Sequence, residues 1–112
     1  MDKTCILIVD DNKDNRTTVR LFLEDYENIS AFEADNAEKA IDIAKVSKPD
    51  IIFMDIMMPG MNGIDATKEI RKFDKQAMII AMSVLSDDEH KSQMLQAGAE
   101  DYITKPINEE LF

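Results

Sequence analysis

Apolar runs interrupt this chain at regular intervals, and each ends in charged or turn-forming residues. Cys5-Ile6-Leu7-Ile8-Val9, Ile51-Ile52-Phe53-Met54 and Ala77-Met78-Ile79-Ile80-Ala81-Met82 lack polar alternation. Runs of this kind read as strands buried on both faces, as in a parallel sheet. Asn28 to Ala34 alternates in part, which suits a strand at or near an edge. Asp101-Tyr102-Ile103-Thr104 is a short fifth strand.

Between these runs the apolar period becomes helical. A first helix is expected to start near Asp14, after the turn and cap residues Asn12 to Asn15, and to bury Val19, Phe22, Leu23 and Tyr26. Asp35-Asn36 caps a second, with Ala37, Ala40, Ile41 and Ala44 as its stripe and Lys48-Pro49 as its stop. A third runs from Gly63 to Phe73 with Ile64, Thr67, Ile70 and Phe73 inward. Asp87 caps a fourth, with Met94, Leu95 and Ala97 apolar and Gly98 as its end. Asn108 opens a last helix that the chain barely begins.

Strands and helices thus alternate with short connections. The pattern predicts an α/β fold over residues 1–112: a doubly wound, five-stranded parallel sheet with helices on both faces and a truncated last helix. In the flavodoxin-like strand order 2-1-3-4-5, strands 1 and 3 are neighbours at the switch point.

Composition narrows the partners. A formal net charge of -10 argues against direct nucleic-acid binding, because a phosphate backbone would be repelled. No apolar run approaches the ~20 residues of a membrane-spanning helix. The first residues lead straight into a strand, so no signal peptide is expected. One cysteine, Cys5, cannot form an internal disulfide and reads as a small apolar filler suited to a reducing cytoplasm.

The predicted strand ends carry the candidate chemistry. They place Asp10, Asp11, Asp55, Ser83 and Lys105 at one sheet edge. Three close carboxylates repel one another, and desolvation makes this worse. A hard divalent cation resolves the conflict: Mg²⁺, with Mn²⁺ as a substitute, takes one or two carboxylates and keeps an open side for phosphate oxygens. Lys105 and the Ser83 hydroxyl can meet other phosphoryl oxygens. Asp55 can act as the nucleophile, since carboxylates form acyl phosphates.

The motifs Val9-Asp10-Asp11-Asn12, Asp55-Ile56-Met57-Met58-Pro59-Gly60-Met61-Asn62-Gly63, Ala97-Gly98-Ala99 and Asp101-Tyr102-Ile103-Thr104-Lys105-Pro106-Ile107 follow one another in this order. In this the chain resembles the receiver domain of bacterial two-component response regulators, also found in hybrid sensor histidine kinases. The resemblance implies that Asp55 is the phosphoacceptor, charged from a phosphohistidine on a sensor histidine kinase or a histidine phosphotransfer protein. It further implies Mg²⁺ held by Asp11 directly, by Asp10 through water, and by Asp55 and the Met57 backbone carbonyl. Ser83 and Lys105 would bind the phosphoryl oxygens, and Ser83 and Tyr102 would act as a switch. That switch would alter a face around the fourth helix, fifth strand and fifth helix, through which a homodimer could also form. A cis peptide is expected at Lys105-Pro106.

Three departures stand out. Val84 replaces the small residue usual after the Ser/Thr, and Met57 and Leu85 are apolar where many members are polar. Neither Met57 nor Leu85 could orient an attacking water, which implies a long-lived phosphoryl group. Met57 also counts against a haloacid-dehalogenase-type phosphatase, which needs a second acid two residues after its nucleophile. A flavodoxin-like electron carrier lacks support, because no Gly/Ser/Thr-rich phosphate loop follows the first strand. A pseudo-receiver that never takes up phosphate conflicts with the intact acidic set. Simpler roles fit other residues: His90 is expected on a solvated helix face, and Met54, Met57, Met58 and Met61 as fillers of core and loop.

Overall fold

A computed structural model of the chain describes residues 3–84 and 88–105. The elements run in the order β1 (Thr4–Val9), α1 (Lys13–Leu23), β2 (Ile29–Ala34), α2 (Ala37–Ser47), β3 (Ile51–Asp55), α3 (Gly63–Arg71), β4 (Met78–Ser83), α4 (Asp88–Ala97) and β5 (Asp101–Thr104). The strands form one parallel sheet in the order β2-β1-β3-β4-β5, so the expected topology holds and β2 lies at an edge. The expected Asp87 cap, the Lys105-Pro106 peptide, Leu85 and the truncated last helix lie outside the described residues.

Side-chain alternation along the buried strands builds two cores. Leu7, Val9, Ile52, Met54, Ile79 and Ala81 face one side, where Ala37, Ala40 and Ala44 of α2 and Ala66 and Ile70 of α3 cover them. Met94 of α4 joins the same cluster. Ile6, Ile8, Phe53 and Met82 face the other side, against Val19 and Leu23 of α1. Each fully buried Ile or Leu contributes about 1.5–3 kcal/mol, so the central strands are the most strongly held part of the molecule.

Asparagines start three of the helices. The side chains of Asn12, Asn36 and Asn62 accept hydrogen bonds from the backbone N–H groups of Asn15 (3.1 Å), Lys39 (2.9 Å) and Asp65 (2.9 Å). α1 therefore begins at Lys13, one residue before the position expected. Lys48 ends α2 in the left-handed conformation, with φ 47°. Gly98, at φ +121°, follows α4.

Some expected core residues are outside. Tyr26 and Phe73 are exposed, because α1 and α3 end before them. Both stops use tight hydrogen bonds: Tyr26 N–H donates to Leu23 (3.1 Å), and Phe73 N–H to Ile70 (3.1 Å). Three-residue closures rotate the chain off the 3.6-residue period that had placed these rings inward. Leu95 and Met57 are exposed as well, while Met54 and Met58 are buried and Met61 packs partly against the core. His90 is half-buried rather than fully solvated.

Candidate functional site

Parallel strands deliver their last residues to one edge, and there the chain gathers its charge. Asp10 follows β1 and Asp55 ends β3, on neighbouring strands; they are 1% and 3% exposed. Asp11 is exposed beside them, and one carboxylate oxygen from each of the three lies within 4.8 Å of the others. Lys105 follows β5 and reaches across β4. Its Nζ donates to Asp10 Oδ2 at 2.7 Å and pairs with Asp55 Oδ1 at 3.1 Å. The sequence had placed these four residues together, and the structure does so.

The electrostatics are strained. Burial, then the neighbouring Asp10 carboxylate, pushes the Asp55 carboxyl up to about 7, against the opposing pull of Lys105. Burial would lower Lys105, but hydrogen bonding and attraction to Asp10 and Asp55 outweigh it and hold the ammonium above its usual range. One lysine thus bridges both buried acids, with Asp11 beside them.

Ser83 ends β4 at 1% exposure, one residue beyond the Met82 that pairs with Asp55, so its hydroxyl belongs to the same edge. Its carbonyl accepts the Lys105 N–H at 2.7 Å, which fixes where the lysine leaves the sheet. Tyr102 sits three residues before Lys105 and is half-buried, packed partly against the larger core. The Met57 side chain is 55% exposed and Val84 69% exposed, so two apolar groups stand at the rim of an acidic pocket.

Two local features that hold the site were not read from the sequence. The loop after β3 folds back so that Gly63 N–H donates to the Ile56 carbonyl at 2.8 Å. A Cβ at Gly63 would lie 2.1 Å from the Asp55 carbonyl oxygen, so only glycine permits this approach. Gly60, at φ +78°, makes the turn that allows it. The second feature is at Asp10. Its Oδ1 accepts the Asn12 N–H at 2.9 Å, its N–H donates to Ala34 at 3.1 Å, and its carbonyl accepts Arg16 Nη1 at 2.7 Å. A glycine at the head of a helix was a visible signal for the first; nothing local announces the second.

A parallel 2-1-3-4-5 sheet with a lysine-bridged acidic pocket at its carboxyl edge defines a flavodoxin-like signalling domain. Residues 6–112 match the response regulator receiver domain family, and the chain belongs to that family. It is 41% identical over 102 residues to the chemotaxis protein CheY of Halobacterium salinarum, covering 91% of this chain and 84% of that protein. A two-component response regulator from Clostridium difficile superposes with a TM-score of 0.90 at 35% identity, covering 97% of this chain and 88% of that one. The receiver domain of Saccharomyces cerevisiae Ssk1, solved in complex with the histidine phosphotransfer protein Ypd1, superposes with a TM-score of 0.89 at 33% identity, over 98% of this chain and 83% of that one. This is therefore a receiver domain of two-component phosphorelay systems. No helix among the described residues is long and apolar enough to cross a membrane.

Proposed function

We propose that Asp55 accepts a phosphoryl group from a phosphohistidine of a sensor histidine kinase or histidine phosphotransfer protein. The observation that carries this reading is the pairing of buried Asp55 with both Asp10 and Lys105 at the sheet edge. An Asp55 carboxylate oxygen attacks phosphorus, the P–N bond to imidazole breaks, and the ring leaves with that electron pair and a proton on its other nitrogen.

The donor set fits a hard divalent cation: oxygen ligands only, clustered within 4.8 Å, with too much negative charge for one lysine to balance. Asp10, Asp11, Asp55 and the Met57 backbone carbonyl would hold Mg²⁺, or Mn²⁺ in its place. When bound, the ion supplies positive charge to phosphoryl oxygens and keeps Asp55 ionised at neutral pH. Lys105 leaves its carboxylate partners for one phosphoryl oxygen, and the Ser83 hydroxyl donates to another. The shift of Ser83, with inward movement of half-buried Tyr102, then alters the face formed by α4 and β5. That face receives partners, including a second copy of the chain.

The domain assists its own phosphorylation but turns over no free substrate. Met57 is exposed and apolar where a phosphatase of the haloacid dehalogenase type needs an acid. It offers no hydrogen bond to an attacking water, so the phosphoryl group is long-lived. A net charge of -10 keeps the domain itself off nucleic acid, and its expected compartment is the cytoplasm.

Incubation with Mg²⁺ and acetyl phosphate, followed by intact mass measurement, tests this reading. A phosphate adduct is expected on the native chain and not on Asp55→Asn. An adduct that survives the substitution would move the acceptor elsewhere, and no adduct on the native chain would favour a pseudo-receiver.

A further inference from the structure

Arg16 lies on α1, outside the acidic pocket, yet its side chain is only 13% exposed. Its guanidinium spans two partners. Nη1 donates to the Asp10 carbonyl at 2.7 Å, and Nε donates to Glu33 Oε1 of β2 at 3.1 Å. Glu33 is held in turn by Arg20 Nε on its other oxygen, at 2.8 Å.

The Asp10 carbonyl belongs to the peptide unit that joins Asp10 to Asp11. A planar peptide has no internal freedom, so fixing its oxygen fixes the direction in which Asp11 leaves β1. The other bonds at Asp10 do not do this. The Ala34 contact uses the preceding N–H, and the Asn12 and Lys105 contacts use the carboxylate. Asp11 itself is exposed, and without a clamp on its backbone its carboxylate would sample a wide cone.

We propose that Arg16 is a positioning residue for the divalent-cation site: it clamps the Asp10–Asp11 peptide, and Glu33 holds it in the orientation to do so. This rests on the metal reading above and adds a residue that no acid-based motif contains. The two-pronged contact needs arginine, because a lysine ammonium on a flexible stem has no fork to span a carbonyl and a carboxylate in fixed geometry.

The sign of the effect separates this role from simple charge. Arg16 is a cation near a cation site, so if only its charge mattered, Arg16→Met would tighten Mg²⁺. Positioning predicts the reverse: a weakening of roughly tenfold, as for other groups that orient metal ligands. Arg16→Lys keeps the charge but loses the fork, and is expected to weaken Mg²⁺ to a similar degree. Glu33→Gln should give a smaller loss in the same direction.

Titration calorimetry with Mg²⁺, checked by Mn²⁺ paramagnetic resonance, reads these affinities on the whole chain. Unchanged or tighter binding in Arg16→Lys and Glu33→Gln would overturn the proposal, including the case in which Arg16→Met does not fold. A second readout needs no metal. The Asn12 amide, which donates to Asp10 Oδ1 across the clamped peptide, should exchange with solvent several times faster in Arg16→Lys than in the native chain, while amides of β3 keep their protection. If the native chain binds no Mg²⁺, the metal reading fails, and this exchange rate still decides whether Arg16 clamps the peptide.

Discussion

The two ends of the sheet use aspartate in opposite ways. At the amino end, Asp50 Oδ2 accepts the Cys5 N–H at 2.8 Å, and Asp74 Oδ1 accepts the N–H groups of Gln76 and Ala77 at 2.9 and 3.0 Å. These carboxylates complete the hydrogen bonding of backbone that has just entered a strand or is about to enter one. A cavity of about 570 Å³ opens beside them, where Lys45 lies 5.6 Å over the Phe73 ring. At the carboxyl end, Asp10 and Asp55 are buried against each other with one lysine between them, and Asp55 is driven up to about 7. An acid answered by local amides serves as structure. One pressed against another acid holds charge that a proton, a metal cation or a reaction must relieve. Asp10 does both, one oxygen on Asn12 N–H and the other on Lys105.

Substitutions at the two ends should separate these uses. The largest effect is expected from Lys105→Met, which leaves two buried acids uncompensated: a loss of about 3–5 kcal/mol at pH 8 in chelator, by urea unfolding, recovered in part by millimolar Mg²⁺. Lys75 is exposed and lines the amino-end cavity next to Asp74, and Lys75→Met should leave the unfolding midpoint where it was; an equal loss there would erase the contrast. Next comes Gly63→Ala, whose Cβ would press on the Asp55 carbonyl; it should cost about 3 kcal/mol. Gly60→Ala, strained only by its positive φ with open space around it, should cost about 1 kcal/mol.

The third test is pH. Native Asp55 binds its proton more tightly than in the unfolded chain, where its value is near 3.8. Its contribution to stability therefore falls as pH climbs from about 4 to about 7 and stays low above that. Asp55→Asn should accordingly stabilise the metal-free protein at pH 8, by on the order of 2 kcal/mol, and not at pH 4. Saturating Mg²⁺ should remove the advantage. A stabilisation that ignores pH would mean that Asp55 is not strained by its charge. An effect as small as that of Gly60→Ala is expected from Asp74→Ala, about 1 kcal/mol of lost hydrogen bonding with Mg²⁺ affinity unchanged.

The contrast also explains which features could be read in advance. Strand order and the meeting of Asp10, Asp11, Asp55 and Lys105 were legible because each residue lies at or just beyond the end of a strand that the sequence marks out. Tyr26 and Phe73 misled because periodicity says nothing about where a helix tightens and stops. The Arg16 clamp was invisible for another reason. It joins α1 to the end of β1 through the Asp10 carbonyl and to β2 through the Glu33 carboxylate, and no side-chain pattern records a backbone acceptor. Gly63 was read as the start of a helix, whereas its tightest constraint comes from Asp55, eight residues earlier.

The Arg20–Glu33 pair has a consequence for how copies of this domain behave at high concentration. β2 is an edge strand, and such edges template the pairing of a further strand. Here Arg20 Nη2 donates to the Ala31 carbonyl at 3.1 Å while its Nε holds Glu33. A strand arriving at this border would have to displace a guanidinium and strip water from an ion pair before its own ladder could form. The border of the sheet is thus guarded against fibrous association by the same glutamate that steadies Arg16.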